Sequence, residues 1–187
     1  MIAVIDEASP EGPGGIYYVV SAAVVLDAEA IDPELGRIFG DGRRRPFHWS
    51  REGSETLERM VDVICAAGVV AHVTVHYPTG RKRQEEARGL ALAELVPLVV
   101  REGAEELIIE SRTEREDGRD RRMLVGIVRE LPSPLRYRWE TKEQRLLWVA
   151  DAVCGAVKEH LLGVNDVPLQ RLQAAAVLGD LRYRSLP

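Results

Sequence analysis

The chain has 187 residues, 45% of them apolar and 29% charged, with a net charge of −5 and two cysteines. That length supports one well-buried domain over 1–187, and the composition excludes a disordered polymer or a uniformly basic nucleic-acid coat. No apolar run reaches the roughly 20 residues of a membrane helix and the start lacks a basic leader region, so a cytoplasmic protein with no membrane partner is expected.

Residues 2 to 6 read as a short apolar strand that ends in Asp6, and Pro10 to Gly15 as a turn. Residues 16 to 26, rich in β-branched and aromatic side chains, read as a second strand hairpinned onto the first. Residues 27 to 50 contain Pro33, Gly36, Gly40, Gly42 and Pro46 and are expected to form an irregular, partly helical insertion. Leu57, Met60, Val61, Ile64 and Cys65 have helical spacing up to a stop at Gly68, and Val69 to Tyr77 reads as a third strand. The turn Arg81-Lys82-Arg83 leads to a helix over 84–101 that Pro97 is expected to kink or shorten. A fourth strand over 105–111, a helix over 117–130 and a fifth strand over 135–139 follow, then a long helix over 142–161. The tail from residue 165 is expected to carry a short helix over 169–178 and then to fray at Ser185-Leu186-Pro187. Cys65 and Cys154 both lie in apolar helical stretches without a CxxC motif, which favours buried free thiols over a disulfide or zinc site. The order describes an α/β fold with a mixed five-stranded sheet flanked by helices.

Three acids stand out. Asp6 closes the first apolar strand, Glu110 closes the fourth, and Asp151 interrupts a strongly apolar helix. Burying an ionised carboxylate costs several kcal/mol unless it is paired or metal-bound, so three such acids on one side of a core suggest a hard divalent cation. If the strands beginning at Ile2 and Glu105 are parallel neighbours, Asp6 and Glu110 emerge at one sheet edge, and a helix over that edge delivers Asp151. The plainer alternative is that Asp6 and Glu110 each cap the turn that follows its strand.

Accessory roles are weighed in the same way. Glu7 alternates away from Asp6 and serves either the site or the solvated loop. His48, within Pro46-Phe47-His48-Trp49, suits a proton shuttle, a base-stacking contact or a merely anchored loop histidine. Lys142, at the start of the expected last helix, reaches a phosphate only if the turn after the fifth strand folds back. His72 and His76 share a face of the third strand but lack a third ligand, which favours structural roles. Two basic clusters, Arg43-Arg44-Arg45 and Arg81-Lys82-Arg83, are candidate phosphate-binding segments, and a third lies at Arg119 to Arg122; the alternative for each is solvated loop charge. There is no GxxxxGK[ST] loop, no GxGxxG after a strand and no GxSxG elbow.

The order of elements resembles the ribonuclease H-like fold. Within it, Ile5-Asp6-Glu7-Ala8-Ser9, the apolar hairpin strand, Leu107-Ile108-Ile109-Glu110 and Trp148-Val149-Ala150-Asp151-Ala152-Val153-Cys154 look like the bacterial family called domain of unknown function 3800, over Ile2 to about Leu161. The chain departs from that family in reading Asp6-Glu7-Ala8-Ser9 where Asp-Glu-Ser-Gly is usual, in carrying Glu110 where Asp is expected, and in an inserted helix between the second and third strands. The resemblance implies that Asp6, Glu110 and Asp151 are catalytic and hold one or two magnesium or manganese ions. The leading reading is a metal-dependent nuclease or related phosphodiester-processing enzyme with nucleic acid as its candidate substrate, although the resemblance itself does not name the substrate. The competing reading is a catalytically inert ribonuclease H-like domain that binds a protein or nucleic-acid partner, which the acidic charge and the Tyr137/Trp139 edge would suit. An exposed edge strand would also permit a homodimer.

Overall fold

The computed structural model describes residues 1–12, 14–38 and 45–186. Its centre is a seven-stranded mixed sheet in the order β6-β5-β1-β3-β4-β7, with the two-residue β2 (Glu11–Gly12) paired to β3. The strands are β1 (Ile2–Ala8), β3 (Gly15–Val25), β4 (Val69–Thr79), β5 (Glu106–Glu110), β6 (Arg136–Glu140) and β7 (Leu178–Arg184). β1 runs antiparallel to β3 and parallel to β5, with Ile5 opposite Ile109, so Asp6 and Glu110 leave the sheet side by side.

The count of five strands expected from the sequence is corrected in two places. β2 is too short for a periodic signal. β7 lies between the expected short helix and the fraying end, in a stretch read as no element; it pairs in parallel with β4 from Ala71↔Leu178 to His76↔Arg184, with a register shift after Ala71. Its alternation is weak because most of its residues are only partly buried. The tail's helix α6 is Val167–Ala174, earlier than expected, and opens on Pro168 within its first turn.

Side-chain alternation divides the core. Val4, Val19, Val73, Val75 and Ile108 face helices α1 (Ala28–Ile38), α2 (Ser54–Ala66) and α5 (Leu147–Leu161). Ala3, Ile5, Val20 and Ile109 face α3 (Gln84–Arg101) and α4 (Glu114–Arg129). The stretch read as an irregular insertion is helical over Ala28–Ile38 despite Pro33, with Asp27 Oδ1 accepting the Ala30 N–H at 3.0 Å. Pro97 does not end α3, which runs on to Arg101. α4 begins at Glu114, ahead of the expected residue 117, because Thr113 and Glu116 form a capping box. α5 begins only at Leu147, after successive turns over 141–146. Every α5 residue from Leu147 to Val157 is buried, and Ser21 Oγ donates to the Ala150 carbonyl at 2.8 Å, pinning the helix across β3. Both cysteines are free thiols, Cys154 buried and Cys65 half-buried.

On the α3/α4 face the sheet carries a buried ionic layer. Arg88, 1% exposed, donates through Nε to Asp120 Oδ2 at 2.9 Å and also pairs with Glu7. Arg112 joins it, reaching Asp120 Oδ1 at 3.1 Å and Glu85 Oε1 at 2.7 Å, and the Tyr18 hydroxyl donates to Glu7. Burial alone would lower the Arg88 pKa, but Glu7 and Asp120 outweigh it and raise it. Breaking such a layer leaves a buried charge without its partner. Arg88→Ala is therefore expected to cost about 3–5 kcal/mol in urea denaturation, with Asp120 and Glu7 stranded; a loss near zero would mean that water replaces the guanidinium.

Candidate active site at the β1–β5 edge

Asp6 sits on the face of β1 that α5 covers, as its alternation with Val4 requires, and is 1% exposed. Glu110 is at the end of β5 on the same face as Ile108 and is partly exposed. Asp151 lies in the second turn of α5 and is 4% exposed. The three acids chosen from sequence are brought together, and what joins them is Lys142. Its Nζ lies 3.1 Å from Asp6 Oδ2, 3.6 Å from Glu110 Oε2 and 2.8 Å from Asp151 Oδ1.

Lys142 arrives there because α5 starts late. The Thr141 carbonyl accepts from Gln144 N–H at 2.9 Å and the Lys142 carbonyl from the Trp148 indole at 2.7 Å, so the chain folds back before the helix begins. The turn after β6, the condition on which the sequence left this lysine, does fold back, and a side chain expected at a helix start becomes the centre of the cluster. Burial would lower its pKa, but Asp6, Asp151 and Glu110 together raise it well above the usual lysine range, so it is a permanent cation.

The carboxylates are not equivalent. Burial raises the Asp6 pKa well above the ordinary range, and the neighbouring Glu110 carboxylate pushes the same way. Asp6 Oδ1 accepts the Glu7 N–H at 2.6 Å. Oδ2 is buried with no aligned hydrogen bond, although Lys142 Nζ stands 3.1 Å away; that contact is a charge contact whose angle is wrong for a hydrogen bond. Asp151 goes the other way. Burial would raise its pKa, but His48, Lys142 and the Trp49 N–H overcome this and hold it at about 2. Trp49 N donates to Asp151 Oδ2 at 2.7 Å, and His48 Nδ1 lies 3.4 Å from Oδ1.

Three supporting residues carry no obvious chemical signal in the sequence. The Trp49 ring fills the space where a side chain on Gly155 would be; a Cβ there would lie 2.1 Å from the ring. The Trp49 indole donates to Glu159 Oε1 at 2.7 Å, so Asp151, Gly155 and Glu159, spaced by four along α5, form one seat for Trp49. Cys154 Sγ, 3.4 Å from the Asp6 carbonyl, fits the helix closely against β1, and burial pushes its pKa up. The four-residue spacing was the available signal. Its meaning depended on Trp49, a residue 102 positions away from Asp151.

Other candidates fall elsewhere. Glu7 faces the opposite side of the sheet, in the ionic layer with Arg88 and Arg112. Arg81 reaches Glu11 at 3.7 Å and Arg83 is bidentate on Glu86 at 2.7 and 2.9 Å, so neither touches the three acids; Lys82 is exposed beside them. Arg43 and Arg44 lie outside the described residues, and Arg45 Nη2 meets the Arg51 carbonyl at 3.4 Å. His72 and His76 are buried on the α3 face of β4, with His72 between Glu102 and Asp180 at 3.5 Å each. A cavity of about 250 Å3 reaches Asp151, alone of the three acids, and is lined by Ser9, His48, Trp49 and Lys158 among others. A larger cleft of about 1040 Å3, between α1 and the β6–α5 turn, is lined by Glu29, Asp32, Glu140 and Glu143 with Arg45 and Arg145, and the three acids are not part of it.

The donor set fits a hard divalent cation: three carboxylates, one with an unsatisfied buried oxygen, balanced by one ammonium. Among the described residues, however, no three acidic, histidine or cysteine side chains are already drawn into a finished ligand set, because each carboxylate here turns to Lys142. Binding would require the ammonium to move aside.

No protein-family model matches the chain, and no curated protein matches its sequence. Solved structures do. A ribonuclease HII of Archaeoglobus fulgidus, solved in complex with PCNA, superimposes with a TM-score of 0.56 at 17% identity, covering 95% of this chain and 78% of that one. The fold is ribonuclease H-like. A ribonuclease H2 from Pyrococcus horikoshii aligns at a TM-score of 0.45 and 13% identity, over 94% of this chain and 77% of that one. At these identities the likeness is one of fold alone. Within this ribonuclease H-like fold, no helix among the described residues is long and apolar enough to cross a membrane.

The opposite shifts of Asp6 and Asp151 predict opposite pH signatures in metal-free protein. A raised carboxyl pKa contributes stability that is present below about pH 4 and is lost as pH rises through the folded value, whereas a depressed one contributes above about pH 4 and is lost as pH falls towards 2. Relative to Asp6→Asn, the wild type should lose stability on going from pH 4 to neutrality. Relative to Asp151→Asn it should gain about 2 kcal/mol between pH 2 and pH 5 and stay level above. Urea denaturation of the three proteins across pH decides this, and parallel curves would disprove it. Gly155→Ala is expected to cost about 1–3 kcal/mol by expelling the Trp49 ring, and to shift the Trp49 fluorescence as well as the stability.

Proposed function

We propose that the chain is a divalent-metal-dependent phosphodiester hydrolase of the nuclease type, with Asp6, Glu110 and Asp151 as the carboxylates that hold Mg2+ or Mn2+, and that it belongs with the domain of unknown function 3800 family. The observation that carries this is the meeting of all three acids on one ammonium within 2.8–3.6 Å, at the edge where β1 and β5 end. Its support is physical as well as topological: three acids around a single fixed lysine leave a negative excess that a divalent cation would neutralise. A cation held there supplies an activated water and offsets the charge that develops on a phosphodiester.

The rest is the work of the chain itself. The Trp49 N–H fixes the Asp151 carboxylate so that its other oxygen faces the cluster. His48, two-fifths exposed and 3.4 Å from that oxygen, is placed to accept or return a proton at the mouth of the site. Lys142 holds the acids together while no other cation is present, and once displaced remains beside them as a donor to a phosphate oxygen.

One observation favours the inert reading: Lys142 already provides the acids with a cation and would let the cluster serve as structure alone. Two measurements separate the readings. Isothermal titration with Mn2+ should show tighter binding in Lys142→Ala than in the wild type, because the competing ammonium is gone, and no binding in Asp6→Asn. Labelled single-stranded, duplex and hybrid substrates should be cut only with Mg2+ or Mn2+, with a loss of about 100-fold or more in Asp6→Asn and Asp151→Asn. Absence of both Mn2+ binding and cutting would establish the inert, partner-binding domain.

A further inference from the structure

We propose that the outer crest of α4 is a docking surface for a nucleic-acid backbone that leads to the acidic edge. Arg115, Arg122 and Arg129 recur every seven residues, so they drift by only about 20° per step and form one exposed row about 21 Å long. Arg119 flanks the row. Gly118, Val125 and Gly126 are the residues between, and none carries a charge.

Glu114 stays exposed at the start of the helix beside Arg115, while the acids that follow it are turned away from this crest or occupied. Glu116 closes the capping box with Thr113, Asp117 accepts from Ser111 and Arg112, and Asp120 is buried against Arg88 and Arg112. Several exposed arginines elsewhere have carboxylate partners, as Arg37 has Glu34, Arg59 has Glu55, Arg171 has Asp62 and Arg184 has Glu94, whereas among the described residues Arg51, Arg101 and Arg136 stand singly and not in a row. Among the described residues Arg115, Arg122 and Arg129 have no such partner, and Arg119 has only a 3.6 Å contact to Glu85. Like charges three and four residues apart on a helix repel, so Arg115, Arg119 and Arg122 weaken α4, and only Arg119 has carboxylates, Glu85 and Glu116, close enough to offset part of this. An external anion with repeated charges would offset the rest.

The surface is also shaped. Arg115, Arg119 and Arg122 surround Gly118 in a shallow cleft of about 510 Å3, with Glu114 at its rim, and a Cβ on Gly118 would meet nothing nearer than Arg122 Nη1 at 4.0 Å. The missing side chain leaves room for a phosphate between guanidinium groups, which bind phosphate by bidentate hydrogen bonds. α4 starts four residues after Glu110, so its N-terminal end lies at the sheet edge where the acids gather. A strand running along the crest towards Arg115 is thereby carried to that edge. With no aromatic ring or amide on the crest, the contact reads phosphate and not base identity.

This docking surface rests on the proposed hydrolase for its purpose, but its test does not require catalysis. Full-length protein is titrated into fluorescent single-stranded DNA, RNA and hybrid duplex in EDTA over a range of KCl, with anisotropy as the readout. The Arg115→Gln/Arg122→Gln/Arg129→Gln triple variant should bind about tenfold or more weakly near physiological salt, and the slope of log affinity against log salt should fall by about two for single strands. Gly118→Glu should weaken binding comparably while its thermal midpoint stays equal or rises, since Glu is a better helix former than Gly. Unchanged salt slopes in the triple variant, or wild-type binding by Gly118→Glu, overturn the docking surface, including where the crest instead captures an acidic protein. Arginine-dependent binding without any metal-dependent cutting leaves the docking surface standing and removes the hydrolase.

Discussion

The arrangement depends on one electrostatic problem: three carboxylates are held near each other at the end of a sheet, two of them buried where water screens them poorly. Two devices meet it. Lys142 brings a cation into the middle, and the Trp49 N–H with His48 stabilises Asp151 as an anion. The two aspartates are therefore pushed in opposite directions, Asp151 towards the anion and Asp6, by burial, towards the neutral acid. A cluster in that state is poised to exchange its ammonium for a harder cation.

Much of this was legible in sequence where the signal was local and chemical. Asp6 and Glu110 each close an apolar run, and the inference that their strands are parallel neighbours is met by the register Ile5↔Ile109. Asp151 was legible as a charge within an apolar helix. The rest required distances that spacing does not encode. Lys142 looked remote because the helix was read as starting at residue 142; the turns over 141–146 and the Trp148 indole change its direction. The strand β7 escaped because an edge strand half in water loses the alternation that marks a strand, whereas the capping box at Thr113 and Glu116 was present in the sequence and sets the start of α4.

Gly155 shows how a glycine in a helix can belong to a site it never touches chemically. It weakens α5 in isolation, since glycine is a poor helix former, but its bare surface admits the Trp49 ring. The ring brings the backbone N–H of Trp49 to Asp151, so the orientation of the carboxylate is set by a packing decision one turn further along the helix. Close packing and electrostatics are here the same constraint seen from two sides.

The dipeptide Asp6-Glu7 joins the two halves of the molecule. A strand sends successive side chains to opposite faces, so Asp6 enters the cluster under α5 while Glu7, next in sequence, enters the ionic layer with Arg88 and Arg112 beneath α3 and α4. That layer satisfies Asp120 and Glu7 with buried arginines and so fixes the inner face of α4. Its outer face is then free to carry arginines whose charge nothing in the interior requires. Negative charge is concentrated on one side of β1 and positive charge is left exposed on the far side of the helix packed against the other. In a chain of net charge −5, that separation, more than any overall basic character, is what an acidic centre needs if a phosphate backbone is to approach it.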